Sequence, residues 1–422
     1  MSKAKGAAGK VFVIGAGLAG LSAATALAAR GASVELIEAA GQAGGRCRSY
    51  FDPTIGGVID NGNHLVLSGN RAVNAYLKRI GAQDALAGPP RAELDFVDLA
   101  DGARWMLKPD EGFLPFWIGR EGRRVPGTRA SDYAGYARLM WANRRQRIGD
   151  LIPAKGALWD RLVHPFLLAA LNTEPVEGSA ALAGAVLRET LAKGGRYYRP
   201  RIAHPTLAAA FTDPALAFLQ AQGAALRMSS RVRALTFMGP SLAALEMPET
   251  VPVSPQDAVI LAVPPWVAGD LLPNLKAPGE FRAIVNAHFK LPAPAGAPLI
   301  LGVVNGMAQW VFAFADRISV TVSAADALID RDREELARAL WADVQKALGI
   351  AEPLPPWQIV KEKRATFAAT PEQDARRPAP TTRWLNLFLA GDWVQTGLPA
   401  TIEGAVRSGE TAAALAARHL AL

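Results

Sequence analysis

Three glycines near the start of the chain have the spacing that cradles a dinucleotide pyrophosphate. Residues 15–20 read Gly-Ala-Gly-Leu-Ala-Gly and stand between an apolar run and a segment with helical periodicity. Gly15 would permit the tight turn, Gly17 would let the backbone approach the phosphates, and Gly20 would let strand and helix pack closely. The N–H groups at a helix start also favour negative charge. The sequence therefore predicts a phosphate cradle formed by Gly15, Ala16, Gly17, Leu18, Ala19 and Gly20.

Two further features indicate which dinucleotide is bound. Glu38 ends the second apolar run, where a carboxylate binds ribose hydroxyls and repels a 2′-phosphate. Gly44-Gly45-Arg46 follows as a second glycine turn that carries a cation. This turn could bring backbone and guanidinium to the pyrophosphate from the other side, which a plain nicotinamide domain does not need. We therefore expect FAD, with Glu38, Gly44, Gly45 and Arg46 among its contacts.

The other end of the chain offers support for the redox ring of such a nucleotide. After a short apolar strand come a Gly391-Asp392 turn, a proline-rich loop and a helix from Thr401 to about residue 420. The partial positive charge of a helix start suits the N1–C2=O edge of a reduced flavin. We expect Asp392 to hold a ribityl hydroxyl or to accept from N–H groups near the phosphates. The predicted contacts here are Gly391, Asp392, Ala400, Thr401 and Ile402.

A dense polar cluster, Asp60-Asn61-Gly62-Asn63-His64, lies between apolar segments. Two interpretations stay open: the cluster lines the flavin face or the mouth of a substrate site, or it is a hairpin turn with polar surface residues. We include Gly62 and Asn63 among the FAD contacts, together with Val232 in the strand-like stretch 226–237.

The elements that must position these residues follow from periodicity, since apolar runs predict buried strands and i,i+4 spacing predicts helices. Strands are predicted at 10–14, 34–38, 226–237 and 259–263, and helices at 18–30, 70–80, 159–171, 182–191, 334–348 and 401–420. The predicted fold class is α/β: a Rossmann-like FAD-binding domain with an α+β substrate domain inserted twice. The FAD-binding domain takes residues 1–90, 223–265 and 385–422, and the substrate domain takes 91–222 and 266–384. The proline-rich stretch 371–380 reads as a linker between them.

The composition is that of a folded protein in a reducing compartment. Of 422 residues, 50% are apolar and 20% are charged, and the length exceeds what one ordinary core accommodates. The single cysteine, Cys47, excludes an internal disulfide and is expected to be a buried packing residue. No apolar run reaches the roughly 18–20 residues of a membrane span. A strand rather than a signal-peptide core follows the basic residues 1–10. We expect a cytoplasmic location.

The formal charge of +8 is concentrated in one stretch. Eight arginines lie between positions 120 and 147, against two acidic residues. The stretch is a solvated face, a surface for nucleic acid, or a patch that rests on anionic lipid headgroups. Because no nucleic-acid motif accompanies the charge, we predict no nucleic-acid partner and expect peripheral contact with the inner face of the cytoplasmic membrane.

At these motifs the chain resembles the flavin amine oxidase and phytoene desaturase superfamily, and more narrowly the hydroxysqualene dehydroxylases, also called squalene-associated FAD-dependent desaturases. The motifs that carry the narrower resemblance are spread over nearly the whole chain. They are DNGNH at 60–64, LNT at 171–173, LAVPPW at 261–266, KRATF at 363–367 and LAGDWVQTGLPATIEGAVRSG at 389–409. The chain departs from the pattern at Asn63, where glutamine is expected, and at the basic stretch 194–200.

The resemblance implies a long, uncharged triterpene alcohol as substrate, hydroxysqualene or a related polyene, whose hydroxyl is replaced by hydride from reduced FAD. An allylic C–O bond can ionise when an acid protonates the oxygen, and His64 is the expected acid, with Asp60 orienting it. Glu403 is the alternative acid, although stabilising its own helix start also explains that residue. Apolar side chains from 113–118, 159–171 and 310–314 are expected to build the cavity.

Other activities stay open at this point. A carotenoid-type desaturase or an amine oxidase would move hydride in the opposite direction, into oxidised FAD. A non-catalytic prenyl carrier similar to the GDP-dissociation inhibitors would share the fold, but the intact cradle with Glu38 and Arg46 argues against it. The sequence carries one Gly-x-Gly-x-x-Gly motif, so the electron donor is unknown and is expected to act through a reductase or free reduced flavin.

Overall fold

The strands and helices interleave along the whole chain. In the computed structural model, which describes residues 9–422, the first eight residues lie outside the described part, and with them most of the basic start. The strands are β1 Lys10–Ile14, β2 Ser33–Ile37, β3 Ser49–Asp52, β4 Gly57–Asp60, β5 Leu65–Leu67, β6 Leu86–Ala87, β7 Leu94–Asp98, β8 Arg104–Leu107, β9 Pro200–Ala203, β10 Ala225–Arg227, β11 Ala234–Met238, β12 Ser241–Glu246, β13 Val251–Pro252, β14 Ala258–Leu261, β15 Phe281–Phe289, β16 Ile300–Val304, β17 Trp310–Ala313, β18 Ile318–Val322, β19 Trp357–Phe367 and β20 Leu387–Leu389.

The helices vary from single turns to long rods. They are α1 Leu18–Ala28, α2 Arg71–Arg79, α3 Ala130–Ala134, α4 Ile148–Leu151, α5 His164–Leu171, α6 Ala180–Glu189, α7 Asp213–Ala221, α8 Pro265–Leu271, α9 Arg333–Leu348, α10 Pro371–Asp374 and α11 Ile402–His419. Two π-helical turns, Trp159–Val163 and Ala208–Thr212, lead into α5 and α7. The 3₁₀ turns are Gly45–Cys47, Phe116–Gly119, Glu121–Arg123, Gly135–Trp141, Leu191–Lys193, Gly195–Tyr197 and Asp326–Leu328.

A parallel five-stranded sheet gathers its strands from both ends and the middle of the chain. Its order is β10-β2-β1-β14-β20, with Val11 opposite Ala258 and Val259 opposite Leu387. Strands β1, β14 and β20 are buried along almost their whole length, as parallel strands covered on both faces must be. The predicted α/β fold is confirmed, and the two ends of the sequence lie in one sheet.

The first and last helices pack directly against each other. Every residue of α1 is buried, and its sequence is rich in alanine. A Cβ at Gly409 of α11 would lie 2.2 Å from the carbonyl oxygen of Ala19, so this glycine allows the close approach of the two helices. The glycine turn before α1 and the loop before α11 are therefore fixed relative to each other.

A seven-stranded mixed sheet forms the second layer, in the order β19-β15-β18-β17-β16-β7-β8. Helix α9 covers one face through Leu336, Leu340 and Val344, the i,i+4 stripe that the sequence shows. The hairpin β7–β8 joins this sheet, although no strand is predicted in that part of the sequence. Three smaller sheets, β11-β12-β13, β3-β4 and β5-β9-β6, complete the structure.

One local prediction is wrong: the stretch 226–237 is two strands in different sheets, separated by an irregular segment in which Ser229 has a φ of 51°. The stretch 371–380, which reads as a linker, contains α10 and two buried side chains, Asp374 and Arg377, which are 1% and 6% exposed. Cys47 is buried. Within residues 9–422, no helix combines the length and the hydropathy that crossing a bilayer requires.

Candidate active site

The glycine turn between β1 and α1 is closed on one side and open on the other. Gly15 has a φ of 104°, and a Cβ there would lie 2.5 Å from the carbonyl oxygen of Ala262. A Cβ at Gly20 would lie 1.8 Å from the carbonyl oxygen of Gly15, so helix and strand touch at this glycine. At Gly17, by contrast, a Cβ would meet nothing within 4 Å. The open space beside a helix start is what a pyrophosphate needs, so the residues fit a dinucleotide.

The second glycine turn lies against the first. The Gly44 N–H donates to the carbonyl oxygen of Ala16 at 2.8 Å, and Gly17 and Gly44 form an isolated parallel bridge. Gly44 and Gly45 have φ values of 105° and 57°, in the region that favours glycine. A Cβ at Gly45 would lie 3.3 Å from the Cα of Gly17. Both turns therefore border the same space, and a side chain at either would narrow it.

The carboxylate of Glu38 is held at the edge of this space. Its Oε2 accepts from the Ala16 N–H at 2.7 Å, and its Oε1 accepts from the Ala40 N–H at 2.8 Å. Each oxygen keeps a second lone pair for a ribose hydroxyl.

Val232, another predicted FAD contact, is buried in the core that also contains Ile14 and Ile37, the last residues of β1 and β2.

Arg46 joins the two ends of the sequence. Its guanidinium donates to Asp392 Oδ1 at 2.7 Å and to the carbonyl oxygen of Ala365 at 2.5 Å. Asp392 is 5% exposed, whereas the Arg46 side chain keeps 41% of its surface. The structure thus pairs the cation of the second glycine turn with the acid of the Gly391-Asp392 turn. The sequence indicated a role for each residue at the cofactor but not their contact.

The loop from Asp392 to Leu398 is organised by Arg377, a residue that the sequence analysis missed. One terminal nitrogen of this buried guanidinium donates to the carbonyl oxygen of Leu398 at 2.7 Å and to Asp374 Oδ1 at 3.1 Å. The other donates to the carbonyl oxygens of Asp392 and Val394 and to Thr396 Oγ1, at 3.0, 2.7 and 2.9 Å. No sequence motif indicated this role of Arg377, because most of its partners are backbone carbonyl oxygens, which every residue carries.

The start of α11 is capped by its own threonine. Thr401 Oγ1 accepts from the Gly404 N–H at 3.0 Å, while the Ile402 side chain is buried in the core beneath. The other N–H groups of the first turn have no partner within the helix. Ala400 is partly buried just before it. The geometry therefore leaves backbone donors at the turn where the flavin ring is predicted.

Glu403 serves a neighbouring helix. Its two oxygens accept from the backbone N–H groups of Ala72 and Val73 at the start of α2, at 3.1 and 3.0 Å, and from Arg407 at 3.0 Å. A carboxylate that is 3% exposed and holds three donors stabilises that helix start. The prediction that Glu403 is an alternative catalytic acid is therefore corrected to a structural role, at a helix other than its own.

Asp60 does not orient His64. Its Oδ1 accepts from Ser49 Oγ at 2.6 Å and from the Leu207 N–H at 2.9 Å, and Oδ2 lies 3.7 Å from Arg317. Burial raises the pKa of the Asp60 carboxyl, although these donors and the charge of Arg317 oppose the rise. In residues 9–422 the His64 side chain has no hydrogen-bond partner. The predicted Asp60–His64 pair is corrected.

His64 is half-buried, and burial together with the positive charge of Arg46 lowers its pKa to about 4. The neighbouring Asn63 donates through Nδ2 to Thr321 Oγ1 at 3.1 Å, while its buried Oδ1 has no hydrogen-bond partner among the described residues. A Cβ at Gly62 would lie 3.0 Å from Asn286 Nδ2. The cluster is therefore packed against β15 and β18 rather than exposed as a surface hairpin turn.

A cavity of about 680 Å³ is bordered by Ser49 and Arg317, both of which contact Asp60. Its lining includes Phe51, Asp213, Phe314 and Arg317, so it is mixed in polarity. Of the segments expected to build an apolar cavity, 310–314 reaches it with Phe314 alone, and 159–171 does not line it. Most of the apolar side chains of those two segments are packed in cores, whereas the loop 113–116 is exposed. The predicted apolar lining therefore does not describe this cavity, and the substrate cavity stays a prediction.

The motifs that suggested the resemblance converge on these turns. Trp393 Nε1 donates to the carbonyl oxygen of Val263 at 2.9 Å, which ties LAGDW to LAVPPW. Asn172 Nδ2 donates to Thr366 Oγ1 at 3.0 Å, which ties LNT to KRATF. Asn61 Nδ2 donates to Glu362 Oε2 at 3.2 Å, beside KRATF. Residues far apart in sequence thus hold one another around the two glycine turns.

Comparisons with known proteins agree with this geometry. A sequence model of flavin-containing amine oxidoreductases matches residues 18–417. A hydroxysqualene dehydroxylase of Rhodopseudomonas palustris is 55% identical over 96% of this chain and 97% of its own length. Hydroxysqualene dehydroxylases of Sinorhizobium fredii and Zymomonas mobilis are 53% and 49% identical over 96% of this chain, covering 98% and 99% of their own lengths.

Solved structures share the fold at low identity. Cyclohexylamine oxidase of Brevibacterium oxydans has a TM-score of 0.73 at 16% identity and covers 99% of this chain and 100% of its own. A putrescine oxidase variant has a TM-score of 0.71 at 19% identity, covering 96% of this chain and 98% of its own. The protein is an oxidoreductase whose cofactor is FAD. The chain belongs to the flavin-containing amine oxidoreductases and, within them, to the hydroxysqualene dehydroxylase family.

Proposed function

We propose that the protein removes the hydroxyl group of hydroxysqualene to give squalene. The observation that carries the proposal is the near full-length identity of about half of all positions to three proteins of that name. This identity covers the stretches from which both glycine turns, the Gly391-Asp392 turn and the Asp60–His64 cluster come. A different substrate class would require changes in these same stretches, which the identity covers.

The proposed reaction balances with one reduced flavin per alcohol. Bound FAD, in its reduced form, supplies the hydride that forms the new C–H bond. The allylic C–O bond breaks as its oxygen takes up a proton and leaves as water, so the carbon is reduced and the flavin is oxidised by two electrons. The residues that would hold the cofactor are those of the two glycine turns with Glu38, Arg46, Asp392 and the start of α11.

His64 is the residue that we propose to donate the proton. It lies in the cluster packed beside the cofactor turns, and its ring has no hydrogen-bond partner in the described part of the chain, which leaves it available to a substrate oxygen. The oxygens of Glu403 are occupied by three donors, and Asp60 is 3% exposed. Because the pKa of His64 is lowered to about 4, the imidazolium is a minor form at neutral pH.

His64→Ala is expected to retain FAD and to slow dehydroxylation at least about tenfold, a lower bound set below the roughly 10²–10⁴-fold that general acid catalysis typically contributes. The imidazolium fraction grows about tenfold per pH unit as the pH falls toward 4. The wild-type rate should therefore rise between about pH 7 and pH 5, and the rise should be absent in the variant. Single-turnover rates of pre-reduced enzyme measure both effects.

His164→Ala is the matched control, because His164 lies at the surface with its Nε2 3.1 Å from Glu174 Oε1. It should leave the rate and the pH profile unchanged. If His64→Ala turned over like this control, proton donation would have to come from another group.

The activity itself is tested by anaerobic incubation of dithionite-reduced enzyme with hydroxysqualene and, separately, of oxidised enzyme with squalene. Squalene formed in the first reaction, with nothing formed in the second, supports the proposal. Desaturated products in the second would indicate a desaturase instead. Dithionite replaces the natural donor, which we propose to be a separate reductase or free reduced flavin, because the chain carries one Gly-x-Gly-x-x-Gly motif.

The basic stretch supports an anionic membrane surface as partner, at the inner face of the cytoplasmic membrane. Arg123, Arg144 and Arg147 pair with Asp110, Asp374 and Glu372. The remaining arginines form no ion pair within residues 9–422; they are Arg120, Arg124, Arg129, Arg138 and Arg145. Such unpaired cations favour anionic headgroups over zwitterionic ones.

In flotation experiments the protein should rise with vesicles that contain phosphatidylglycerol and stay behind with pure phosphatidylcholine vesicles. Added salt should release it, since exposed charges are screened within about 10 Å at 0.1 M salt. If the protein bound both kinds of vesicle equally, or bound neither, the arginines would be solvent-exposed residues that do not bind anionic lipid.

A further inference from the structure

Residues 112–116, which lead from β8 into the 3₁₀ turn Phe116–Gly119, form a loop with exposed apolar side chains. Phe113, Leu114 and Phe116 are 66%, 46% and 65% exposed. Large aromatic side chains seldom gather in water without a partner, because each one costs free energy while it is hydrated. The sequence suggested that these residues line the substrate cavity, and the structure places them on the surface instead.

The loop is held firmly at its base. Asp110 accepts the Trp117 N–H at 2.6 Å and the Arg123 guanidinium at 2.8 Å. Trp117 is 6% exposed and packs edge-on against Tyr133, with the ring centroids 5.5 Å apart. The exposure of Phe113 and Phe116 is thus built into the fold, since anchors on both sides hold the loop outward.

A second loop widens this surface. The Gly195 N–H donates to the carbonyl oxygen of Asp110 at 2.8 Å, and a Cβ at Gly194 would lie 2.3 Å from the carbonyl oxygen of Gly112. The same loop carries Leu191, which is 39% exposed, and the cations Lys193 and Arg196, which lie 5.9 and 5.5 Å from the centroid of the Tyr197 ring. Part of this loop is the basic stretch 194–200, where we expected the sequence to depart from the pattern of the family that it resembles.

The charges around the loop are predominantly positive. Asp110 and Glu111 are neutralised by Arg123 and Arg199, at 2.8 and 2.7 Å. Arg120, Lys193 and Arg196 have no ion-pair partner in residues 9–422. An apolar tip with a cationic rim matches a bilayer of apolar chains beneath anionic headgroups.

We propose that the 112–116 loop inserts Phe113, Leu114 and Phe116 into the acyl region of an anionic bilayer, with Lys193, Arg196 and Arg120 at the headgroups. This deepens the proposed function, on which it rests, because a triterpene alcohol would be dissolved in that bilayer. The loop would then fix which face of the enzyme meets the membrane.

The single buried cysteine makes a direct test possible. A Phe113→Cys variant can be labelled selectively with an environment-sensitive fluorophore, because Cys47, the one native cysteine, is buried. The label should shift to the blue and be shielded from an aqueous quencher on phosphatidylcholine–phosphatidylglycerol vesicles. Met238→Cys is the control: Met238 is 74% exposed but lies on β11, and its label should not respond.

The double variant Phe113→Ser, Phe116→Ser should weaken binding to these vesicles by about tenfold or more, whereas Met238→Ser should not. Turnover of detergent-solubilised hydroxysqualene should be unchanged in both, while turnover of vesicle-embedded substrate should fall in the double variant. If the wild type did not convert detergent-solubilised hydroxysqualene at all, the proposed function itself would be refuted. The proposed insertion would be overturned if the fluorescence of the label at position 113 did not shift, or if the Met238 variants lost vesicle binding to the same extent. It would also be overturned if the wild type self-associated and the double variant did not.

Discussion

Gly17→Val is expected to abolish FAD binding while leaving the stability of the apoprotein almost unchanged. Gly17 has φ −74° and ψ 175°, which valine adopts without strain, and a Cβ at this position would meet no protein atom within 4 Å. The added side chain would occupy the space in which the pyrophosphate is predicted. We expect the dissociation constant for FAD to rise about 100-fold or more, equivalent to at least about 2.7 kcal/mol of lost binding.

Two controls separate this effect from a general disturbance. Gly269→Val adds the same side chain on α8, where a Cβ would also meet nothing within 4 Å, and it should change neither FAD affinity nor melting temperature. Gly20→Val should prevent folding, since its Cβ would lie 1.8 Å from a carbonyl oxygen. Flavin fluorescence titration of apoprotein and thermal unfolding measure the two properties. Normal FAD affinity in Gly17→Val would place the pyrophosphate elsewhere.

The cradle was predictable because its determinants are local. The roles of Gly15 and Gly20 depend on a strand, a turn and a helix that follow one another within about twenty residues, so the spacing alone carries the geometry. The long amphipathic helix α9 was predictable for the same reason. Both depend on neighbours in sequence, which a periodic pattern records.

The errors arose where a residue's partner lies far away in sequence. Glu403 is an acid in the first turn of a helix, and the sequence cannot say that it reaches the start of α2, more than 300 positions earlier. Phe113 and Phe116 are apolar, and apolarity predicts burial in general but does not name what buries them. The Arg46–Asp392 pair joins two residues that were each predicted at the cofactor, yet their contact depends on the whole fold.

Arg377→Met is expected to lower the free energy of unfolding by about 3–5 kcal/mol, the usual range when one partner of a buried ion pair is removed. The substitution removes the buried partner of Asp374, which is 1% exposed and keeps only the exposed Arg144, at 3.4 Å. It also leaves the carbonyl oxygens of Asp392 and Val394 without a donor, and that of Leu398 with Thr396 Oγ1 at 3.4 Å alone. These carbonyls belong to the loop that leads to α11. FAD affinity should therefore fall together with stability, measured by urea unfolding and by flavin titration.

Arg376→Met is the matched control, because its neighbouring guanidinium lies at the surface and donates to one carbonyl oxygen, that of Ala277. It should change the stability by less than about 0.5 kcal/mol. Arg377→Lys keeps the charge beside Asp374 but lacks the planar fork that reaches the loop carbonyls, so it should recover much of the stability and little of the FAD affinity. If lysine restored both properties equally, Arg377 would act as a buried counter-ion alone. If both stayed low, the fork would be needed for folding as well as for positioning the loop.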